Sequence, residues 1–430
     1  MAFVSGLAAS TARRELIRQS INARRIHNLL LDTVIFDPLP CGFPAPKVPM
    51  LPTLMGGQSG GMRIRMNTTP SWASADHFRH FTRARYALHE AYRLAGVGPG
   101  TRLLAPSYHC RTMLDPALAL GGAVALYPLH PDLSPDLPAI QKIEAAADTP
   151  IKGILITHYF GFPQDFGALT QWARQRRITI VEDCSHALLC ERFRAAGTGT
   201  FGDFVASSLY KFLPIPDGGL LYASDAPRLA EIRIRPRSIG REIRGIRATL
   251  LKAWSHRRSA VTPDPALTTF ELSDVVEPGV DRREQAGPSA DYQLSEETLP
   301  RLGVSGFIAQ NANIEAIVSL RRHNYQRWLD AVAGLVTCRP LYPKLPTGCV
   351  PYMFPLHIDH PQPFFYQLKR LGVPIWRWDS MAVSGCTTAG DYRTRLLHLP
   401  CHQSLRRAEM DWMLSAVINV SQTGTRGGAA

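Results

Sequence analysis

The sequence lacks any apolar run long enough to cross a bilayer, and its N-terminus lacks the basic, apolar, small-residue order of a signal peptide. Its eight cysteines include no CxxC pair, so their spacing indicates neither a zinc site nor a disulfide scaffold. These absences predict a cytoplasmic protein with free thiols and no metal. At 430 residues, with 45% hydrophobic and 19% charged residues, the chain is long enough for two or three globular domains.

Lysine is scarce, because only seven of the 48 basic residues are lysines. Lys211 differs in setting from the other six, which lie in polar, proline-rich or helical stretches. It ends the apolar run FVASSLY and precedes FLPIPDGG, whose prolines and glycines interrupt the pattern before LLYAS resumes as a strand. Lys211 is therefore predicted on a loop between two strands, although an ordinary surface lysine fits the same spacing.

A pair of carboxylates follows the apolar, β-branched run ITIV, which is typical of a buried strand in a parallel sheet. Glu182 and Asp183 fall at the C-terminal end of this strand, where open α/β sheets bind ligands. A lysine and an aspartate held at neighbouring strand ends suit pyridoxal 5′-phosphate, because the amine can bind the cofactor's aldehyde and the carboxylate can keep its pyridine nitrogen protonated. Lys211 and Asp183 are thus the candidate catalytic residues.

Strand and helix patterns alternate through the first half of the chain. The apolar runs TRLLAPSY, AVALYPL, GILITHYF and ITIV are separated by helical patterns such as TMLDPALALGG and DFGALTQWARQR, which indicates a doubly wound, mixed or parallel sheet. A smaller α/β unit is predicted from PYMFPLHID, FFYQLKRLG, PIWRW, RLLHLPCHQSL and RAEMDWMLSAV. The predicted domains are a basic, proline-rich extension (1–45), a large cofactor-binding domain (46–235), a basic helix with a polar insertion (236–290), and a connecting helix with a small C-terminal domain (291–424).

The central stretch resembles a known family. VEDCSHALLCERFRAAGTGTFGDFVASSLYK, followed by DGGLLYASD, is similar to the cofactor segment of the DegT/DnrJ/EryC1/StrS aminotransferases, in which an EDAAQAHGA-like motif, an FGD turn, a lysine and a GG pair follow one another. The resemblance implies the fold type I of pyridoxal-phosphate enzymes, with Lys211 binding the cofactor and Asp183 pairing with its pyridine nitrogen. It also places His186 near the cofactor's phenolic oxygen, although a structural histidine is an open alternative.

The phosphate-binding segment of the family is altered in this chain. The pattern FRHFTRARYALHEAYRLA predicts a helix over 78–95, and RARYAL stands where the family has a small-residue motif such as SGTAAL. Ala84 and Arg85, next to Arg83, therefore take the phosphate-binding positions at the helix N-terminus. The alternative is that these arginines only cover a solvated helix face.

The resemblance implies further cofactor and substrate contacts in segments that match the family less closely. Ala206 stands where a family serine holds the phosphate, so Ser207 or Ser208 is expected to replace it. RLGVPIWRW and LLHLPCHQSL are similar to the family segments that meet the substrate, which places Arg377 and His402 near the cleft. These two residues are expected substrate contacts.

One ring of the protein is expected to stack on the cofactor. TRLLAPSYHC resembles the family strand and turn that carry this side chain, so Tyr108 or His109 is expected against the pyridine ring, with Cys110 as the remaining alternative. HYFGFPQD resembles the family's HLYGQPAD loop, which places His158 near the site. Core roles remain open for all of these side chains.

Basic charge is concentrated in residues 231–260, which carry nine Lys or Arg and two acids. This segment predicts an anionic partner, such as a nucleotide-linked substrate, a phosphorylated carrier or an acidic membrane surface. The alternative is a solvated helix whose arginine stems cover apolar surface. Nucleic acid is not expected, because no aromatic stacking platform or binding motif accompanies the charge.

Together these features predict a pyridoxal-phosphate aminotransferase of fold type I. The resemblance implies a keto sugar attached to a nucleotide, or another anionic keto substrate, an amino donor, and a homodimer. Two alternatives stay open: another pyridoxal-phosphate reaction on the same fold, such as a lyase or dehydratase reaction, and a non-catalytic relative that binds a ligand. The family's GYNYRM-like motif, which contributes to the dimeric site, is absent from the sequence.

Overall fold

The computed structural model describes residues 30–54, 77–191, 193, 201–259 and 281–426. The strands are β1 (Leu30–Ile35), β2 (Phe78–Phe81), β3 (Arg102–Pro106), β4 (Ala123–Tyr127), β5 (Ile151–Thr157), β6 (Thr179–Asp183), β7 (Phe204–Ser208), β8 (Gly219–Ala223), β9 (Asp281–Ala286), β10 (Cys338–Pro340), β11 (Met353–Ile358), β12 (Met381–Ala382) and β13 (Leu396–Pro400). The helices are α1 (Ala84–Leu94), α2 (Arg111–Ala119), α3 (Leu137–Ala145), α4 (Gly167–Gln175), α5 (Ile239–Arg258), α6 (Gly303–Gln310), α7 (Ile314–Val332), α8 (Pro361–Arg370), α9 (Thr387–Arg395) and α10 (Arg407–Arg426). Short 3-10 turns lie at Leu39–Cys41, Leu209–Lys211, Ala226–Glu231 and Leu294–Glu296.

The large sheet has seven strands in the order β2-β8-β7-β6-β5-β3-β4. Strands β7, β6, β5, β3 and β4 run parallel, whereas β8 is antiparallel to both of its neighbours. Successive residues of a central strand pack into different hydrophobic clusters, with Ile154 and Ile156 in one and Leu155 in the other. The sheet is therefore covered on both faces, as expected for a mostly parallel sheet, and the predicted architecture is confirmed.

The helix predicted over 78–95 is wrong in its first six residues. Phe78–Phe81 form β2 instead, which pairs with β8 and buries Phe78 and Phe81, and the helix begins at Ala84. The aromatic spacing of this stretch fits a helix locally. Pairing with β8 at the edge of the sheet instead gives the backbone its hydrogen bonds and buries two of the aromatic side chains. The chain therefore turns from strand to helix at Arg83, which has an extended backbone with φ of −138°.

Two small antiparallel sheets complete the described structure, in the orders β10-β11-β13 and β12-β1-β9. The first contains two of the strands expected in the C-terminal unit. The second contains β9, which lies in the segment predicted as a polar insertion and pairs with β1 over six residues. PIWRW, expected to be a strand, forms only a single bridge between Trp376 and His398. No described helix is both long and apolar enough to span a membrane.

Candidate active site

A cavity of about 300 Å³ opens at the carboxyl ends of three neighbouring parallel strands. Thr157, Asp183 and Ser208 are the last residues of β5, β6 and β7, and all three line it. Side chains from the start of α1 and from the C-terminal part of the chain close the remaining walls. Seven of the twelve site residues expected from the sequence lie here: Lys211, Asp183, His186, Ala84, Arg85, Ser208 and Arg377.

Lys211 reaches the cavity from the 3-10 turn that follows β7. Its Nζ lies 5.3 Å from the centre of the Tyr352 ring, a cation–π contact that orients the amine. The carbonyl of Lys211 accepts a hydrogen bond of 2.9 Å from the Nη2 atom of Arg321. Both the backbone and the side chain of the lysine are therefore held by residues from elsewhere in the fold.

Arg321 is fully buried in α7 and connects three segments around the site. Its guanidinium donates to the carbonyls of Lys211, Pro351 and Tyr352 and to the side chain of Gln403, over distances of 2.9 to 3.1 Å. Burial lowers the pKa of Arg321 to about 10. The side chain thus acts as a structural clamp beneath Lys211, with carbonyl and amide oxygens as its acceptors.

Asp183 is 5% exposed and lies beside Thr157 in the register of the sheet. Its Oδ1 accepts a hydrogen bond of 2.8 Å from the backbone N–H of Ser185. The hydroxyl of Thr157 is buried and has no hydrogen-bond partner within the described part of the chain. An unpartnered buried hydroxyl that lines a cavity next to a carboxylate indicates that a polar ligand belongs there.

Two histidines face the amine of Lys211 and are held neutral. The ring of His186 stacks on Tyr352 at 4.3 Å, and His398 shares a hydrogen bond of 2.8 Å with the Tyr108 hydroxyl. Burial and then the charge of Lys211 hold the pKa of His186 well below its usual range. The same two causes lower the pKa of His398 to about 3. Because both histidine rings are uncharged, neither of them adds a second positive charge beside the Lys211 amine.

The N-terminus of α1 forms the basic end of the cavity. The N-terminal cap residue, Arg83, makes no side-chain cap hydrogen bond, so the first amides of the helix remain available to an anion. The guanidinium of Arg83 lies 4.7 Å from the centre of the Tyr210 ring, and Arg85 donates to the carbonyl of Asp291. Gly219 allows this approach, because a Cβ there would lie 2.2 Å from the Arg83 carbonyl oxygen.

The structure corrects the expected position of the stacking ring. Tyr108 and His109 are both fully buried outside the cavity lining. Tyr108 packs on Trp378 at 4.7 Å, and His109 accepts a hydrogen bond from the Ala382 amide. Cys110 is the residue of this turn that lines the cavity. The side chains of Tyr108 and His109 instead contact the C-terminal segments that carry Trp378 and Ala382.

Three further residues expected at the site also lie outside it. Ser207 is buried on the strand next to Ser208 and does not line the cavity, because neighbouring side chains of a strand point to opposite faces. His402 is buried away from the cavity and shares a hydrogen bond of 2.9 Å with the Pro49 carbonyl. His158 pairs with Glu182 at 2.9 Å behind the sheet edge.

The pairing of His158 explains why it is structural. Its Nδ1 accepts from the Gln164 amide, and its Nε2 meets Glu182, whose other oxygen accepts from the amides of Phe201 and Gly202. Cys184 lies close enough for the three side chains to resemble a metal site. Both ring nitrogens and both carboxylate oxygens already have partners, and the Cys184 thiol donates to Glu182, so the cluster fixes the FGD turn.

Arg377 lines the cavity, but its guanidinium is already held by partners within the protein. Its Nε donates to Asp379, its Nη1 donates to the Thr394 carbonyl, and its plane packs on Phe365 at 3.6 Å. The neighbouring Trp376 and Trp378 also line the cavity. No local sequence pattern separates a cavity-lining tryptophan from one that only packs in the core.

Buried histidines make stability sensitive to acid. Burial lowers the pKa of His398 and of His402 to about 3 and that of His109 to about 4. The unfolded chain, with an ordinary histidine pKa near 6.5, binds more protons than the folded protein below that pH. We therefore expect the free energy of unfolding to fall by roughly 1 kcal/mol per pH unit for each histidine as the pH drops from 6.5 towards 4.

Urea titrations between pH 7 and pH 4.5 measure this slope. His109→Asn should make the slope shallower, whereas His323→Gln, at an exposed position on α7, should leave it unchanged. Equal slopes in all three proteins would contradict a role for the buried histidines.

The cavity has the groups that pyridoxal 5′-phosphate requires. A single lysine amine and a buried carboxylate line the same space, and the free hydroxyl of Thr157 lies beside the carboxylate. The basic start of α1 offers amides and guanidinium groups to a phosphate. The residues present therefore fit this cofactor, since Lys211, Asp183 and the start of α1 all line one cavity.

Comparison with known proteins agrees with this geometry. Residues 72–251 match the model of the DegT/DnrJ/EryC1/StrS aminotransferase family. The chain is 30% identical over 148 residues to a dTDP-4-dehydro-2,3,6-trideoxy-D-glucose 4-aminotransferase from Saccharopolyspora spinosa, a match that covers 34% of this chain and 37% of the relative. It is 24% identical over 159 residues to GDP-perosamine synthase from Escherichia coli O157:H7, which covers 36% of this chain and 43% of the relative. The matched stretch thus spans less than half the length of either protein.

The fold extends beyond the matched stretch. The crystal structure of an aminotransferase, TlmJ, from Streptoalloteichus hindustanus is similar over 88% of this chain and 100% of its own, with a TM-score of 0.60 and 18% identity. At this identity the likeness shows the fold alone.

Proposed function

We propose that this chain is a pyridoxal-phosphate aminotransferase acting on a keto sugar, nucleotide-linked or otherwise anionic, because residues 72–251 match the model of the DegT/DnrJ/EryC1/StrS aminotransferase family. The observation that carries this proposal is the position of Lys211 and Asp183 on one cavity at the carboxyl ends of parallel strands. Pyridoxal 5′-phosphate is the cofactor of the family. We expect a homodimer, as is usual for family members.

When bound, the cofactor supplies a conjugated ring that accepts electrons from the substrate carbon. The protein's part is positioning and proton transfer. Lys211 would hold the cofactor through its amine and, once displaced from it by the substrate amine, would act as the general base that moves the substrate proton. Asp183 would hold the protonated ring nitrogen, and the burial of its carboxylate would strengthen that interaction. The unpartnered hydroxyl of Thr157 would be free to donate to a polar atom of the bound cofactor.

The substrate class rests on two features. Both curated relatives are named for work on sugars carried by a nucleotide, dTDP in one case and GDP in the other. In this chain Trp376, Trp378 and Tyr210 give the cavity flat aromatic walls, and Arg83 and Arg85 give it positive charge at one end. Aromatic faces suit a sugar or base ring, and the guanidinium groups suit phosphate oxygens.

The test begins with the absorption spectrum of the purified protein and added pyridoxal 5′-phosphate. We expect a visible band that glutamate or another amino donor bleaches and that a dTDP- or GDP-linked 4-keto sugar restores. Borohydride reduction followed by peptide mass mapping should place the cofactor on Lys211. A stable band that no amino donor bleaches would favour the lyase or dehydratase alternative, and no band at all would leave only the non-catalytic alternative.

A further inference from the structure

Helix α5 carries an apolar stripe on its outer face. The side chains of this stripe recur every three or four residues and are 42–79% exposed: Ile239, Ile243, Ile246, Leu250, Leu251 and Trp254. Five of them, together with Arg247, line an open groove. The stripe spans sixteen residues of helix, from Ile239 to Trp254, and is therefore about 22 Å long. A continuous exposed stripe of this kind marks an interaction surface rather than chance exposure.

The opposite face fixes the orientation of α5. Gly245, Thr249, Ala253 and His256 are buried against the protein, and a Cβ on Gly245 would lie 2.3 Å from the Leu302 side chain. His256 is bonded on both ring nitrogens, to the Thr53 hydroxyl at 2.6 Å and to Glu409 at 2.8 Å. The helix is therefore anchored along its inner face, and the apolar stripe cannot turn inwards.

Positive charge borders the stripe without compensating acids. The exposed basic residues of α5 are Arg244, Arg247, Lys252, Arg257 and Arg258. None of them has an ion-pair partner among the described residues. The single acid of the helix, Glu242, accepts from the amides of Gly303 and Val304 and so faces α6. The outer face is thus apolar in the middle and cationic at its edges.

Two occupants could cover such a face, and the charges distinguish them. A second copy related by a two-fold axis would bring the same arginines together and bury guanidinium groups without acids, which is costly. An anionic bilayer supplies a phosphate for every guanidinium and accepts the apolar stripe at the boundary between headgroups and acyl chains. Trp254, with the Arg258 guanidinium 3.9 Å from its ring centre, has the amphipathic character of side chains at that boundary.

We propose that α5 docks this protein on anionic lipid surfaces, with the stripe from Ile239 to Trp254 inserted between the headgroups and the flanking arginines bound to lipid phosphates. The helix lies in the plane of the surface and does not span it. This proposal is independent of the proposed catalytic function, because no residue of the stripe lines the active-site cavity.

Flotation of the full chain with vesicles tests the proposal. We expect the protein to bind vesicles of phosphatidylcholine with one quarter phosphatidylglycerol at least tenfold more strongly than pure phosphatidylcholine vesicles, and to be released as the salt concentration rises. Leu250→Asp combined with Trp254→Asp should abolish binding. Both positions face solvent, so the thermal midpoint and the circular dichroism spectrum should stay those of the wild-type protein.

The matched control is Val336→Asp, which introduces a charge at a 78% exposed apolar position on the loop after α7. This variant should bind the vesicles like the wild-type protein. Failure of the wild-type protein to bind, or equal binding by the α5 double variant, would overturn the proposal. A dimer that the double variant converts to monomer, with no vesicle binding by either protein, would show that a second copy covers the face.

Discussion

Replacement of Lys211 by alanine is expected to remove the visible band of the bound cofactor and to lower the transamination rate by roughly 10³-fold or more. The reason is chemical: the amine is both the point of attachment and the base, and within the described residues no other lysine lines the cavity. The fold should survive, because Arg321 bonds the carbonyl of residue 211 and not its side chain. Absorption spectra and single-turnover kinetics with an amino donor measure the two effects.

Two further variants separate chemistry from charge. Lys211→Arg keeps a positive group beside the Tyr352 ring but lacks an amine that can attack the aldehyde, so it should fail like the alanine variant. Lys344→Ala changes an exposed lysine and should keep both the band and the rate. If Lys211→Ala retained the band, the cofactor would be attached elsewhere, and the proposed assignment would be lost.

The second large effect is expected at Arg321. Arg321→Met should lower the free energy of unfolding by about 3 kcal/mol, because four buried or partly buried oxygens each lose a donor at once and each such loss costs about 1–3 kcal/mol, partly offset by removal of a buried charge. The same change should weaken cofactor binding, since the freed carbonyls belong to Lys211 and to the segment that carries Tyr352. Urea unfolding and a cofactor titration measure the two quantities.

Arg322→Met is the matched control. Arg322 follows directly in α7 and donates to two carbonyls, those of Pro346 and Cys349, but it is only partly buried, so water can replace its hydrogen bonds. The control should cost less than about 1 kcal/mol and leave cofactor affinity unchanged. Similar losses in both variants would mean that the Arg321 clamp has no special role beneath the site.

Much of the large domain followed from local patterns. The runs that became β5, β6 and β7 are β-branched and apolar, and a strand buried on both faces requires that composition wherever it sits in the sheet. Asp183 falls at the end of such a run, and Thr157 and Ser208 end the two strands beside it. The position of the site at the carboxyl ends of these strands could therefore be predicted, because parallel strands end at a common edge.

Predictions failed where a distant segment competed for the same residues. Phe78–Phe81 have helical spacing but pair with β8, and the polar β9 forms only because β1 lies beside it. Tyr108 was expected at the cofactor, yet its hydroxyl is bonded to His398, almost 300 residues away in sequence. A single sequence contains no signal for such partners, because the contact depends on how the C-terminal unit packs on the sheet.

The sequence by itself determined the α/β alternation, the resemblance of its central stretch to one family and the presence of Lys211 and Asp183 at strand ends, since these depend on local composition and short spacings. Only the tertiary structure decided which side chains form the walls around them. Tyr352, Trp378 and His398 come from segments that are remote in sequence, and they meet Lys211 through packing of the C-terminal part. The outer face of α5 was decided in the same way: its charge is visible in the sequence, but which of its faces remains exposed depends on the contacts of Gly245 and His256 with the rest of the protein.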